Sequence, residues 1–265
     1  MNTGISIFVA AFMALGASWC GFVLAPVLQL GGAKQTVILQ TTDNWPLQRT
    51  GEATLGLQAY CANGCAACHT EQVRQTGVAF EILLTGAGKN PAAVSNLIST
   101  LKLTGLTKEA ADAANEKITA AGGKVETHLS ATGADIARGW GSRQSVAADY
   151  LYDQPVQLGS LRAGPDLSNI GVRAPDANWQ LLHLYAPKSV TPDSTMPSFK
   201  FLFEVRKVGA APSPDALNLP KEFAPADGFE IVPKPEAKQL AAYLLSLKAN
   251  VPLYEAPFTP VTAAK

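Results

Sequence analysis

The longest pattern in the chain is an uncharged, largely apolar run from Gly4 to Leu30, and no charged side chain occurs before Lys34. A helix needs about 20 apolar residues to cross a bilayer, so the run predicts a transmembrane anchor over residues 1–30, with Pro26 near its outer end. A cleaved signal peptide has a basic first region and a shorter apolar core, and a lipoprotein anchor needs a small residue before Cys20, where Trp19 stands. The run is therefore read as an uncleaved anchor. Residues 31–51 turn polar, with Pro46 and scattered glycines, and predict a tether. A helix is predicted next, over Glu52 to Ala62. Near the far end Pro235 opens a second helix, Glu236 to Ala249, because proline is favourable in a first turn. Leu240, Tyr243, Leu244 and Leu247 form its apolar stripe.

Between these helices the texture changes. Phe80-Glu-Ile-Leu-Leu reads as a strand, and helical runs follow at Pro91 to Lys102 and Lys108 to Ala121. Gly122-Gly123 breaks the chain before Lys124-Val-Glu-Thr-His-Leu, which alternates as a strand does. The pattern predicts a mainly α protein carrying an inserted α+β subdomain of order β-α-α-β over residues 78–130, inside a domain spanning 52–265.

Lysine plus arginine and aspartate plus glutamate both number 21. That balance argues against a nucleic-acid partner, whose phosphates demand an excess of positive charge. The chemistry lies in Cys65-Ala66-Ala67-Cys68-His69, the spacing by which c-type haem is attached. Two thiols can form thioethers to the porphyrin vinyl groups, and the next histidine reaches the iron. Zinc would need two more cysteines or histidines at ligand spacing, and a thioredoxin-like dithiol would sit in a βαβ pattern. The motif predicts one covalent haem c, with Cys61 dispensable for attachment. Loop charges near the run are too few to set its orientation, but cytochrome c maturation occurs outside the cytoplasm, so residues beyond about 31 are expected to face the periplasm or its equivalent.

A six-coordinate transfer haem takes a second ligand, usually methionine or histidine. Met1 and Met13 lie at the terminus and in the anchor, so Met196, in Thr195-Met196-Pro197, is the favoured ligand. His128 and His183 compete with it. His183 follows Trp179 by four residues on a predicted helix, where a structural role, a haem propionate or a partner are all open. Arg162 and Trp179 are candidate propionate donors, since guanidinium and indole N–H groups suit carboxylates; either could equally lie on the surface.

The two terminal helices, with Gly56 and Tyr60 on one and Leu240 and Tyr243 on the other, resemble the crossing helices of class I cytochromes c. In that family a Gly-Pro such as Gly164-Pro165 packs on the proximal side of the haem. The resemblance implies that the Pro165 carbonyl accepts the other ring N–H of His69. Several blocks together resemble one family. They are Ala62 through Arg74 around the haem motif; Asp149-Tyr150-Leu151-Tyr152-Asp153-Gln154-Pro155; Gly159-Ser160-Leu161-Arg162-Ala163-Gly164-Pro165-Asp166-Leu167; and His183 through Val190 leading to Ser194-Thr195-Met196-Pro197. This set resembles the membrane-anchored monohaem cytochrome c subunit, CcoO/FixO type, of cbb3-type cytochrome c oxidases.

That resemblance implies an electron-transfer subunit of the respiratory chain. It would pass single electrons from another cytochrome c subunit or a soluble donor to a polytopic haem-copper subunit that reduces dioxygen. It implies His69 and Met196 as axial ligands and no acid–base or nucleophilic site of its own. A nitric oxide reductase cytochrome subunit, a stand-alone anchored electron carrier and a haem-based ligand sensor are the alternatives. Within the insertion, Ile82-Leu-Leu-Thr-Gly-Ala-Gly-Lys-Asn-Pro-Ala-Ala-Val and Ala120-Ala-Gly-Gly-Lys-Val-Glu resemble the C-terminal domain of the bacterial ribosomal stalk protein. This is a hint of fold, with no ribosomal function implied.

Overall fold

The computed structural model describes residues 3–32, 34–38 and 44–251. Residues 1–2 of the predicted anchor, 33 and 39–43 of the predicted tether and 252–265 of the predicted 52–265 domain lie outside the described residues. Contacts divide the chain into two compact units, Met1–Gln48 with Val146–Val156, and Arg49–Ser145 with Gln157–Lys265. The chain is mostly helical, with small two-stranded sheets.

The first unit opens with α1 (Thr3–Trp19), a π turn (Cys20–Leu24) and α2 (Ala25–Leu30). They form one apolar helical run, Thr3–Gln29, of 27 residues, with mean hydropathy 2.1 and no buried residue. At a rise of about 1.5 Å per residue it extends about 40 Å, more than the roughly 30 Å of a bilayer's hydrocarbon core. Length and composition suit a membrane anchor, and a signal segment shares them. Pro26 falls inside the run without ending it. The wide π turn just before it is a usual way for a helix to absorb a missing N–H.

Beyond the helix, β1 (Thr36–Val37) pairs antiparallel with β2 (Asn44–Trp45), with Thr36 opposite Trp45. The sequence pattern predicted only a polar tether here. The order comes from distant partners: Trp45 Nε1 donates to Asp149 Oδ1 at 2.8 Å. The other oxygen of that carboxylate accepts from the Val146 N–H at 2.9 Å.

The second unit begins with α3 (Glu52–Ala62). An excursion follows: β3 (Gly77–Gly86), α4 (Pro91–Thr100), α5 (Lys108–Ala120) and β4 (Lys124–Thr132). The strands pair antiparallel from Gly77↔Thr132 to Gly86↔Lys124, so the chain leaves and returns at one place. Asn90 and Thr107 cap α4 and α5 by accepting the Ala93 and Ala110 N–H groups, which satisfies helix donors that otherwise lack partners. The excursion has its own core of Ile82, Val94, Leu106, Ala111, Ala114 and Ile118. The short α6 (Ala134–Ala137) and α7 (Ile170–Arg173), then α8 (Ala177–Tyr185), lead to β5 (Phe203–Lys207) and its antiparallel partner β6 (Phe229–Pro233).

The chain closes with α9 (Pro235–Ser246), which crosses α3. The predicted helix ran to Ala249. It stops earlier because the next residues make tertiary bonds: the Gly171 N–H donates to the Leu247 carbonyl at 2.9 Å and the Ala249 N–H to the Ser168 carbonyl at 3.0 Å. Gly56 sits at the crossing. A Cβ there would lie 1.9 Å from the Gln239 carbonyl oxygen and 2.7 Å from Tyr243 Cβ. Tyr60 and Tyr243 pack with ring centroids 5.2 Å apart, and both, with Leu240, are fully buried.

Overpacking a tight interior typically costs about 1–3 kcal/mol. Gly56→Ala is expected to cost at least that, because the clash is with backbone that cannot rotate away. Denaturant unfolding followed by circular dichroism measures it; parent-like stability would show that α3 and α9 separate without cost.

Candidate functional site

The Cys65–His69 motif sits on a turn whose shape is set locally. The Asn63 side chain donates to the Ala59 carbonyl at the end of α3. Gly64 takes a left-handed conformation, φ 67, which glycine adopts without steric penalty. A single 3₁₀ turn, Cys65–Ala67, follows, and the His69 N–H returns to the Cys65 carbonyl at 3.0 Å. Cys65 is half-buried and Cys68 exposed, both as free thiols. Burial chiefly, with Glu71 and the neighbouring cysteines adding to it, pushes Cys65 up to about 11. A redox dithiol has the opposite need, a depressed thiol pKa.

The imidazole of His69 is held by a second segment. Its Nδ1 lies 2.8 Å from the Pro165 carbonyl oxygen. That oxygen can only accept, so Nδ1 carries the proton and Nε2 keeps its lone pair. Burial pushes the ring below the ordinary histidine range, opposed by the Pro165 bond and Asp166, so the neutral ring prevails at neutral pH. A Cβ on Gly164 would stand 2.3 Å from His69 Cε1; only glycine lets the backbone lie against the ring. Backbone bonds from Ser160 to Ala66, Gly164 to Cys68 and Leu167 to Thr70 zip the two segments together.

Asp166, with no exposed surface, anchors the same pairing. Its Oδ2 accepts from Thr70 Oγ1 at 2.6 Å and the Gln72 N–H at 2.8 Å, and its Oδ1 from the Ser168 N–H at 2.9 Å. Such bonds stabilise a buried carboxylate that would otherwise be costly to desolvate.

Beside His69 opens a cavity of about 480 Å³, within the range of cofactor sites. Its walls include Cys65, Cys68, His69, Pro165, Trp179 and Met196, together with Leu167, Arg173, His183, Leu240 and Leu244. Six of the seven predicted site residues therefore meet in one cavity. Arg162 does not line it. Its Nη1 bonds Asp135, its Nε donates to Thr70 Oγ1 at 3.0 Å and its Nη2 to the Gln72 carbonyl. Those partners clamp the segment that follows the Cys65–His69 motif.

The arginine that does face the cavity is Arg173, whose Nε is buried without a hydrogen-bond partner while Nη2 donates to the Asp166 carbonyl. Sequence reading missed it. Both arginines stand close to Pro165 in the chain, and only the α7 turn brings the later one to the wall. His128, a competing ligand, lies on β4 opposite Glu81, 3.5 Å from Glu126, and is not among the lining residues. His183 does line the cavity, with its ring stacked on Trp179.

The donor set suits a haem. Two imidazoles, His69 and His183, one thioether and two thiols share an apolar cavity, and buried nitrogens without partners face it. Among the described residues no three His, Cys, Asp or Glu side chains gather to hold a bare metal ion.

Residues 132–220 match the family model described as "FixO: Cytochrome C oxidase, mono-heme subunit/FixO". The matched span contains Pro165, Trp179, His183 and Met196, and the fold sets it against the Cys65–His69 motif that lies outside it. No curated protein matches the chain. The matched segment forms most of the walls around the Cys65–His69 motif, and this part of the chain is similar to the FixO family, the mono-haem subunit of cytochrome c oxidase.

Proposed function

We propose that the cavity holds one haem c, bonded covalently through Cys65 and Cys68, with His69 and Met196 as axial ligands. The observation that carries this is the neutral His69 ring, fixed by the 2.8 Å bond to Pro165, in one cavity with both motif thiols and Met196. When bound, the haem supplies a one-electron Fe(III)/Fe(II) couple, and a thioether ligand favours the reduced side. Pro165 orients the imidazole and raises its basicity as a ligand, the usual effect of such a partner. Arg173 offers a cation for the carboxylates. Leu167, Leu184, Leu240 and Leu244 exclude water from the walls.

The α3–α9 crossing around Gly56 supports a class I cytochrome c domain, into which residues 78–130 are inserted as an α+β subdomain. The apolar helix is read as a single-pass anchor in the bacterial cytoplasmic membrane, with the haem domain on the periplasmic side. In that setting the chain, as a cbb3 oxidase subunit, relays electrons from a donor cytochrome c to the polytopic subunit that reduces dioxygen.

Haem-staining gels test attachment. Cys65→Ala and Cys68→Ala are each expected to lose most covalent haem, while Cys61→Ser keeps it; full staining in both alanine variants sinks the reading.

Met196→Leu is expected to abolish the near-infrared sulfur-to-iron charge-transfer band of the oxidised protein and to lower the midpoint potential. An unchanged spectrum would remove Met196 as the ligand.

The insertion's role is tested by joining residues 77 and 131 with a short Gly/Ser linker. The strand ends it replaces are already paired, and loop-closure entropy grows slowly with length. Haem content and midpoint are expected to survive, and slowed turnover with a donor cytochrome would mark the insertion as a docking element. Loss of haem would show instead that the segment builds the core.

A further inference from the structure

The wall of the cavity contributed by α7 and α8 carries two buried nitrogens without partners, Arg173 Nε and His183 Nδ1. A structural histidine ordinarily finds a nearby acceptor, because a buried N–H left unpaired is costly. Neighbouring side chains do so: Gln180 Nε2 donates to the Ala174 carbonyl at 2.8 Å and Asn169 Nδ2 to the Gly139 carbonyl at 2.9 Å. His183 is as firmly placed as they are. Its ring lies parallel to the Trp179 indole, centroids 4.9 Å apart and planes 8° apart. The next residues of its helix, Leu184 and Tyr185, are buried in the core. The ring is thus fixed in orientation, in a cavity wall, with a donor that the protein itself does not use.

The missing acceptor must come from what fills the cavity. Given the haem reading above, on which this inference rests, His69 and Met196 take the iron and the leucines face the macrocycle. The remaining acceptors of a haem are its carboxylates. We propose that His183 donates its Nδ1–H to a haem carboxylate, and that Trp179 acts as a positioning residue by holding the imidazole plane. Nothing else in the cavity wall assigns His183 a role: it is neither the motif histidine nor on the Met196 loop.

The test uses the full-length, haem-loaded chain in detergent. His183→Phe keeps a flat ring for the Trp179 stack and removes the donor. His183→Asn keeps an amide N–H near the place of Nδ1, and His183→Gln moves it toward the place of Nε2. A carboxylate near the iron favours the ferric state, and a hydrogen bond to it offsets part of that field. Measured at pH about 8, well above the carboxylate range, His183→Phe is expected to keep covalent haem and the near-infrared methionine band. Its midpoint should fall, and the carboxylate bands of its redox infrared difference spectrum should shift. His183→Asn should return both toward the parent values, and His183→Gln should not.

Parent-like midpoint and carboxylate bands in His183→Phe would overturn the proposal, and so would loss of the methionine band, which would show that His183 acts on the Met196 ligation and not on a carboxylate. Should the phenylalanine variant yield no loaded protein, the two amides decide: equal midpoints in His183→Asn and His183→Gln overturn it. Absence of covalent haem from the parent chain is a separate outcome, and sinks the haem reading itself.

Discussion

A single hydrogen bond, from His69 Nδ1 to the Pro165 carbonyl at 2.8 Å, joins segments 96 positions apart, and the architecture of the cavity is arranged to make it possible. Gly164 must lack a side chain for the backbone to lie on the ring. Gly159, at φ 77, must do likewise, since a Cβ there would meet the His69 carbonyl oxygen at 2.2 Å. The bond also selects the tautomer, which leaves Nε2 with the lone pair that a metal requires. Two charged side chains around it are paired on several sides. Asp166, wholly buried, accepts three hydrogen bonds, and Arg162 spends its donors on Asp135, Thr70 and the Gln72 carbonyl. A buried charge stripped of such partners is strongly destabilising, so the network resists any slippage of one segment past the other.

The same cavity depends on the crossing of α3 and α9. Tyr60, Leu240 and Leu244 belong at once to the apolar core and to the cavity lining. Tyr243, buried at the crossing, donates its hydroxyl to the Glu71 carboxylate at 2.8–2.9 Å, two residues past His69. Burial first, and Glu71 second, push the pKa of the Tyr60 phenol far above its ordinary range, so it stays neutral. Helix packing and ligand placement are one problem here: the close approach that Gly56 permits is what puts these side chains in the cavity wall.

The excursion between β3 and β4 obeys a different economy. It carries an apolar core of its own, and its strands keep register from Gly77↔Thr132 onward. No residue of it lines the cavity. Immediately after β4, however, Asp135 of α6 receives both Arg162 and the Arg74 N–H at 2.8 Å. The root of the excursion is therefore bonded to the segment that follows the haem motif, which fixes where it emerges without involving its body in the site.

What the sequence determined by itself was everything with a local cause. The apolar run announces its helix by length, and Cys65-Ala-Ala-Cys-His states its chemistry by spacing. The alternation of Phe80–Leu84 and Lys124–Leu129, broken by two helical runs, marks a pair of strands because side chains on a strand face opposite ways. Met196 stood out because the other methionines were at the terminus and in the anchor, and the fold brings it into the cavity with His69. Other features could not be read. Arg162 and Arg173 look alike in a single chain, and which one reaches the cavity is settled by acceptors on Thr70, Asp135 and Asp166. The early end of α9 depends on Ser168 and Gly171 capturing residues that would otherwise continue the helix. The β5–β6 hairpin joins strands separated by a long, turn-rich connection. The unpaired nitrogen of His183 exists only as a relation between a helix, a stacked indole and a cavity. Local preference acts over a few residues, whereas the choice of a buried polar group's partner is made among all the segments that folding brings together, and only the tertiary structure records that choice.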